Sequence, residues 1–295
     1  MSTTTPSPRL SARLVDDAAV FPPARTPVDR AWRAHVSRRD QPWGEHVGPL
    51  LVAPVHAELL ATVARAHPAD RPVDTVLVAR AGTVLADVDE AMATLEPVAC
   101  VRMVGVEVTH GEHWRDALPW QLPLAVEVDP DPRLRDAALD DLARARAQGH
   151  PVVAKLRTQS TPERPLPGAV ALAGFLVACA SRDLTFKLTG GLHHGVAGTV
   201  DLGDGLHEWQ HGVVNVLAAT RAAQAGEPRD RVAALLERSD AEPLCHELRA
   251  LTTEEAEQLR QQFTSFGCCD VTDPLHDLTR LGLVAPAPTV QEEPV

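Results

Sequence analysis

L-T-F-K-L-T-G-G-L-H-H, Leu184–His194, begins as an alternating apolar run, takes in Lys187, breaks at Gly190-Gly191 and closes on His193-His194. The alternation predicts a strand. Its far end gathers an amine, a flexible glycine pair and two imidazoles. Glycines carry no Cβ, so backbone N–H groups there can approach a ligand closely. One run upstream, V-V-A-K-L-R-T at Val152–Thr158 repeats the design with Lys155 inside it. These are the only two lysines among 28 Lys and Arg residues. A charge inside an apolar run is costly unless it is used. Arginine stays protonated in proteins, whereas a buried lysine can give up its proton and act as a nucleophile.

Outward from this pair, apolar runs alternate with helical patterns. The predicted strands are 13–15 (closing on Asp16-Asp17), 47–54, 73–79, 98–108, 124–129, 152–156, 184–189 and 263–268. Helical spacing lies between them over 28–39, 57–66, 85–95, 134–148 and 170–180, with a last helix over 274–281. Eight such units predict an α/β fold, a (β/α)8 TIM barrel spanning 13–284, with an open doubly wound sheet as the alternative. Residues 1–12 and 285–295 are polar and read as disordered tails. The connection 195–262 is long and reads as a helical insertion, with helices over 206–223 (capped by Asp204), 231–236 and 254–262.

Catalytic groups of such barrels sit at the C-terminal strand ends. That rule collects Asp16, Asp17, Arg80, Glu107, Glu127, Asp129, Lys155, Arg157, Lys187, His193, His194, Cys268 and Cys269 on one rim. The strand-end acids read first as helix caps or ion-pair partners. Lys155 and Lys187 on neighbouring strands are expected to share one cavity with His193 or His194, and to lower each other's pKa. His193 and His194 are the candidate proton carriers. Arg157 is the candidate partner for a carboxylate or phosphate. Asp17, Gly190, Gly191, His211, Asn215 and Cys268 complete the expected substrate contacts.

H-E-W-Q-H at His207–His211 matches the H-E-x-x-H zinc pattern. The glycine and third histidine of the extended pattern are absent, with Val214 and Leu217 in the way. The segment is therefore expected to hold no zinc, and its helix to turn His207, His211 and Asn215 toward the pocket mouth. No motif asks for a cofactor. A metal-dependent hydrolase drawing ligands from His193, His194, His207, Glu208, His211 and Cys269 is the second reading, and a non-catalytic metabolite-binding barrel the third.

The net charge of −12 and the absence of a basic cluster exclude nucleic acid as an expected partner. With no tyrosine in the chain, a tyrosine proton donor is excluded as well. Five cysteines without C-x-x-C spacing fit a reducing cytoplasm, and neither a leader-like apolar stretch nor a run able to cross a membrane is expected.

K-L-R-T at Lys155–Thr158 followed by F-K-L-T-G-G-L at Phe186–Leu192 resembles the paired motifs of the deoxyribose-phosphate aldolase family of class I aldolases. The eighth-strand F-G-C-C is similar to that family's F-G-x-S. The resemblance implies a Schiff-base lyase on a TIM barrel. Lys155 would be the nucleophile, Lys187 the lysine that tunes it, and Gly190-Gly191 an anion site. Gln159-Ser160 lacks the family's glycine, and His193-His194 stands where the family has arginine. The chain also resembles an uncharacterised bacterial family with the pattern K-L-R-T…F-K-x-T-x-G-L-H-H…H-G-x-x-N, which implies no activity. The expected substrate is a small anionic carbonyl compound.

Overall fold

The computed structural model describes residues 6–161, 165–203 and 206–284. Eight parallel strands close into a (β/α)8 barrel: β1 (Val15–Asp17), β2 (Val47–Val52), β3 (Val73–Val78), β4 (Val101–Thr109), β5 (Leu124–Glu127), β6 (Val152–Arg157), β7 (Phe186–Thr189) and β10 (Phe263–Cys268). β10 pairs with both β7 and β1, which completes the ring.

Strand alternation decides what faces the lumen. Phe186 and Leu188 of β7, and Ala154 and Leu156 of β6, pack outward and are buried under helices. Phe186 stacks on Phe263 at 5.2 Å between ring centroids and meets Phe175 edge-on at 5.4 Å. Lys155 and Lys187, each lying between two outward residues, must therefore point inward. They are direct register partners.

The outer layer follows the amphipathic patterns: α1 (Val28–Arg38), α2 (Ala57–Ala66), α3 (Leu85–Leu95), α4 (Pro132–Ala147), α5 (Ala169–Ser181) and α10 (Thr272–Arg280). The side chain of Asp131 caps α4, accepting from the N–H groups of Arg133 and Leu134. After β4 the outer element is a seven-residue 3-10 helix, Trp114–Trp120.

The insertion departs from its expected all-helical form. It opens with an antiparallel hairpin, β8 (Gly198–Gly203) and β9 (Leu206–Gln210), followed by α6 (Val213–Gln224), α7 (Arg229–Leu236), α8 (Ala241–Arg249) and α9 (Thr253–Gln262). The helix expected over 206–223 thus starts only at Val213. Asp204, its expected cap, lies outside the described residues. The insertion also explains α5, which is apolar on nearly every face: α6 and α7 pack against the sides that the barrel leaves open.

The expected N-terminal tail ends earlier than its polarity suggested. Pro8–Leu10 form a 3-10 turn with Leu10 buried. Arg260 holds this segment down, donating to the carbonyls of Leu10 and Ala12 at 3.0 Å each, as well as to those of Phe263 and Thr264. Residues 1–5 and 285–295, expected as tails, fall outside the described residues. No described helix is long and apolar enough to cross a membrane.

Candidate active site

The lumen holds one continuous chain of charges. Lys155 Nζ lies 2.7 Å from Glu107 Oε2 and 2.8 Å from Glu127 Oε2. Glu107 Oε1 accepts from Lys187 Nζ, which also donates to Asp16 Oδ2 at 2.6 Å. Ser265 Oγ donates to the same Asp16 oxygen at 2.8 Å. At the other end Glu127 takes a two-pronged contact from Arg157, at 3.1 and 3.3 Å. The order is Arg157–Glu127–Lys155–Glu107–Lys187–Asp16–Ser265, with β6, β5, β4, β7, β1 and β10 contributing. Both lysines are shut off from solvent, at 3% and 6% exposure.

Burial alone would raise the Glu107 carboxyl, but Lys155 and Lys187 outweigh it and bring its pKa down to about 2. Burial would lower the Lys187 amine, yet Asp16 and Glu107 hold it above its ordinary value. The expected mutual lowering of the two lysines is therefore corrected for Lys187: carboxylates stand between the amines, and their attraction exceeds the repulsion. Glu127 is lowered by Lys155 and Arg157 against its burial. Asp16 is raised by its complete burial despite Lys187 and Ser265. Its Oδ1 has no hydrogen-bond partner among the described residues and sits where a Cβ on Gly48 would come within 2.2 Å.

Two cavities meet this network from opposite ends of the barrel. The cleft at the C-terminal ends is lined by Phe21, Arg80, Lys155, Arg157, His193 and Cys269, among others, and encloses about 40 Å³. A second cavity of about 270 Å³ opens at the N-terminal ends and reaches Asp16, Lys187 and Ser265 past Val104 and Arg260. Glu107 borders both. Lys155 and His193 thus share the cleft at the C-terminal strand ends. Lys187 points into the same lumen but faces the opposite cavity, because Asp16 and Ser265 hold its ammonium there.

His193 lies beside two thiols and an acid: its Nδ1 is 3.3 Å from Asp273 Oδ2 and 3.6 Å from Cys268 Sγ, and its Nε2 is 3.5 Å from Cys269 Sγ. The other expected contacts require correction. His194 turns away from the cleft to Asp277 at 3.6 Å. Asp17 points outward, bound to His35 Nδ1 at 3.0 Å and Arg38 Nη1 at 2.9 Å, since Asp16 takes the inward position of the alternation. Cys268 is buried, donates to the Asp270 carbonyl at 3.0 Å, and has a thiol pushed well up by burial; Cys269 lines the cleft instead.

Gly190 does line the cleft, but its N–H already donates to Gly267 O, and the Gln159 side chain fills the space a Cβ would take. Gly191 packs on the Thr158 carbonyl. Both glycines have positive φ, +73° and +68°, so the turn itself requires them. The expected anion site at this pair is not built. Arg157 is already engaged by Glu127.

His211 is buried with Nε2 2.7 Å from the Pro167 carbonyl. Asn215 is buried too, accepting from Ala197 N–H at 2.8 Å and donating to the carbonyls of Leu235 and Arg238 at 2.8 and 2.7 Å. Neither reaches the cleft. H-E-W-Q lies on β9 rather than on a helix, and Glu208 accepts from Ser160 Oγ at 2.5 Å. Among the described residues, no group of three His, Cys, Asp or Glu side chains is arranged to hold a metal ion.

Asp16, Glu107, Glu127 and Arg80 belong to the site; the sequence put all four on the rim and left the acids open between helix caps and ion-pair partners, and the structure makes the three acids ion-pair partners. All four stand at strand ends. What the sequence lacks is the cross-lumen pairing that separates a bridging carboxylate from a helix cap. No protein-family model matches the chain, and no curated protein matches it.

Proposed function

We propose that this barrel is a lysine-dependent lyase of the aldolase type, acting through a Schiff base between Lys155 and a small anionic carbonyl compound. The observation that carries the reading is the single carboxylate, Glu107, set between the chain's only two lysines, with Lys155 alone facing the cleft. A barrel lumen is ordinarily filled by branched apolar side chains. Six charged groups in their place are costly to bury unless they do chemistry.

The residues divide the work as follows. Lys155 must shed one ammonium proton to attack, and Glu107 and Glu127 both lie within proton-transfer distance of it. Its neutral amine adds to the carbonyl carbon while the carbonyl oxygen takes up a proton. That oxygen leaves as water, and the C–N bond becomes a protonated imine. The imine draws electrons from the adjacent carbon–carbon bond, which breaks as the β-hydroxyl gives its proton to a base. An aldehyde departs and an enamine remains on Lys155. Protonation of the enamine carbon, then addition of water, frees the second product and restores the amine. His193, on the cleft wall, is placed to exchange the β-hydroxyl proton. Lys187 keeps its proton and so steadies the Glu107 carboxylate, while the proton exchanged with Lys155 moves through Glu107 or Glu127.

Borohydride reduction tests this directly. Acetaldehyde, glycolaldehyde, pyruvate and glyoxylate are each added with borohydride, and the adduct is mapped by peptide mass spectrometry. Lys155 should be modified and Lys187 should not. No adduct with any of the four, or an adduct confined to Lys187, would reject the proposal.

A further inference from the structure

Three cations of the lumen, Lys155, Lys187 and Arg157, are balanced by three anions, Asp16, Glu107 and Glu127, in direct contact. One cation at the cleft is left over. Arg80, at the end of β3, makes no ion pair among the described residues; its guanidinium lies over the Phe21 ring, 4.7 Å from the centroid. Arg157 repels it and Glu127 attracts it from a distance, but no described acid pairs with it directly where it meets the cleft.

Behind His193, outside the lining of the cleft, the charges are acidic. Asp273 stands 3.3 Å from His193, and Asp270 Oδ1 accepts the Thr272 N–H at 2.9 Å. Asp270 thereby occupies the amide end of α10 that an incoming anion would otherwise use. The Gly190 N–H is spent on Gly267. The cleft therefore has Arg80 on one side and His193 on the other, with Lys155 in its lining and the acids Asp270 and Asp273 outside it, on the far side from Arg80.

We infer that Arg80 binds the charged end of the substrate, and that this end is a carboxylate rather than a phosphate: the substrate class is a short oxo-acid. The inference rests on the Schiff-base reading. A guanidinium presents two parallel N–H groups that match a carboxylate. A phosphate ester carries nearly two charges at neutral pH, and this cleft offers one. The enclosed volume of about 40 Å³ has room for a few water molecules, which suits a molecule of few carbons. The carboxylate lies toward β3, so the carbon beyond the carbonyl and its hydroxyl lie toward His193.

The test compares three aldehydes on the full chain under borohydride: glyoxylate (carboxylate), glyceraldehyde 3-phosphate (phosphate) and acetaldehyde (neutral). Glyoxylate should label Lys155 at the lowest concentration. Arg80→Gln should raise its half-saturating concentration about tenfold or more relative to acetaldehyde, the loss expected for a charge-assisted contact. Preference for the phosphate, or an unchanged glyoxylate-to-acetaldehyde ratio in Arg80→Gln, overturns the assignment while leaving Lys155 as nucleophile. If none of the three labels Lys155, the Schiff-base reading falls, and pyruvate binding by calorimetry decides Arg80 alone. Binding that Arg80→Gln abolishes supports it, and no binding, or binding that survives the change, overturns it.

Discussion

At Glu107 one buried carboxylate meets two ammonium groups, each of which has one other acid to turn to among the described residues. Glu107→Gln leaves three cations facing two anions in the lumen. Removing one member of a buried ion network costs about 3–5 kcal/mol, and that is the destabilisation expected at pH 7. The sign of the pH effect follows from the shift. The folded pKa of about 2 lies below the ordinary 4.5, so the stability Glu107 contributes is complete above about pH 4.5 and is lost as pH falls toward 2. Lys187 acts in the other direction: its raised pKa gives a contribution that is complete at neutral pH and lost only in strong alkali. Urea midpoints at pH 7 and pH 3 check this. The gap between parent and Glu107→Gln should narrow at pH 3; equal midpoints at pH 7 would contradict the network. At this scale the lysines were legible because they are rare and sit inside apolar runs. The choice between Asp16 and Asp17 was not, because a three-residue strand gives alternation too little to fix its phase.

Among the elements, all eight barrel strands could be read to within a few residues, since buried parallel strands are nearly continuous Val/Leu/Ala runs. The hairpin β8–β9 could not. Its sequence alternates and carries a G-D-G turn signal. The histidine spacing that starts within β9 matches a helical metal motif, and a helical period competes there with the strand alternation. Asn215 shows the consequence. A helix running from Leu206 would aim it at the pocket, whereas it in fact ties the approach to β8 to the end of α7 and the turn beyond. Asn215→Ala leaves a buried N–H and two carbonyls without this partner, at about 1–3 kcal/mol for each group that stays unsatisfied. The melting temperature should fall by several degrees while borohydride labelling of Lys155 in the folded protein keeps its concentration dependence. A normal melting temperature with impaired labelling would restore Asn215 to the cleft.

For the molecule as a whole, the charge network is a partition across a barrel that can be entered from both ends. The upper cleft belongs to Lys155 and the lower, larger cavity to Lys187. Val104 lines the lower mouth, and Val104→Trp should fill much of it. Reductive methylation with formaldehyde and a borane reads access to each amine separately. Val104→Trp should slow methylation of Lys187 several-fold relative to Lys155. Equal slowing of both would mean that a single entrance serves the lumen.

The confinement of both lysines to the lumen makes this protein unusually simple to watch. Isotope placed on lysine side chains would give two resonances, both from the charge network and none from the surface. Proton transfer, ligand arrival and the loss of the network in acid could each be followed as a shift in one of two peaks. Amine-directed reagents, for the same reason, would find no lysine on the exterior of the protein, and slow reaction at either amine would report on the barrel's interior.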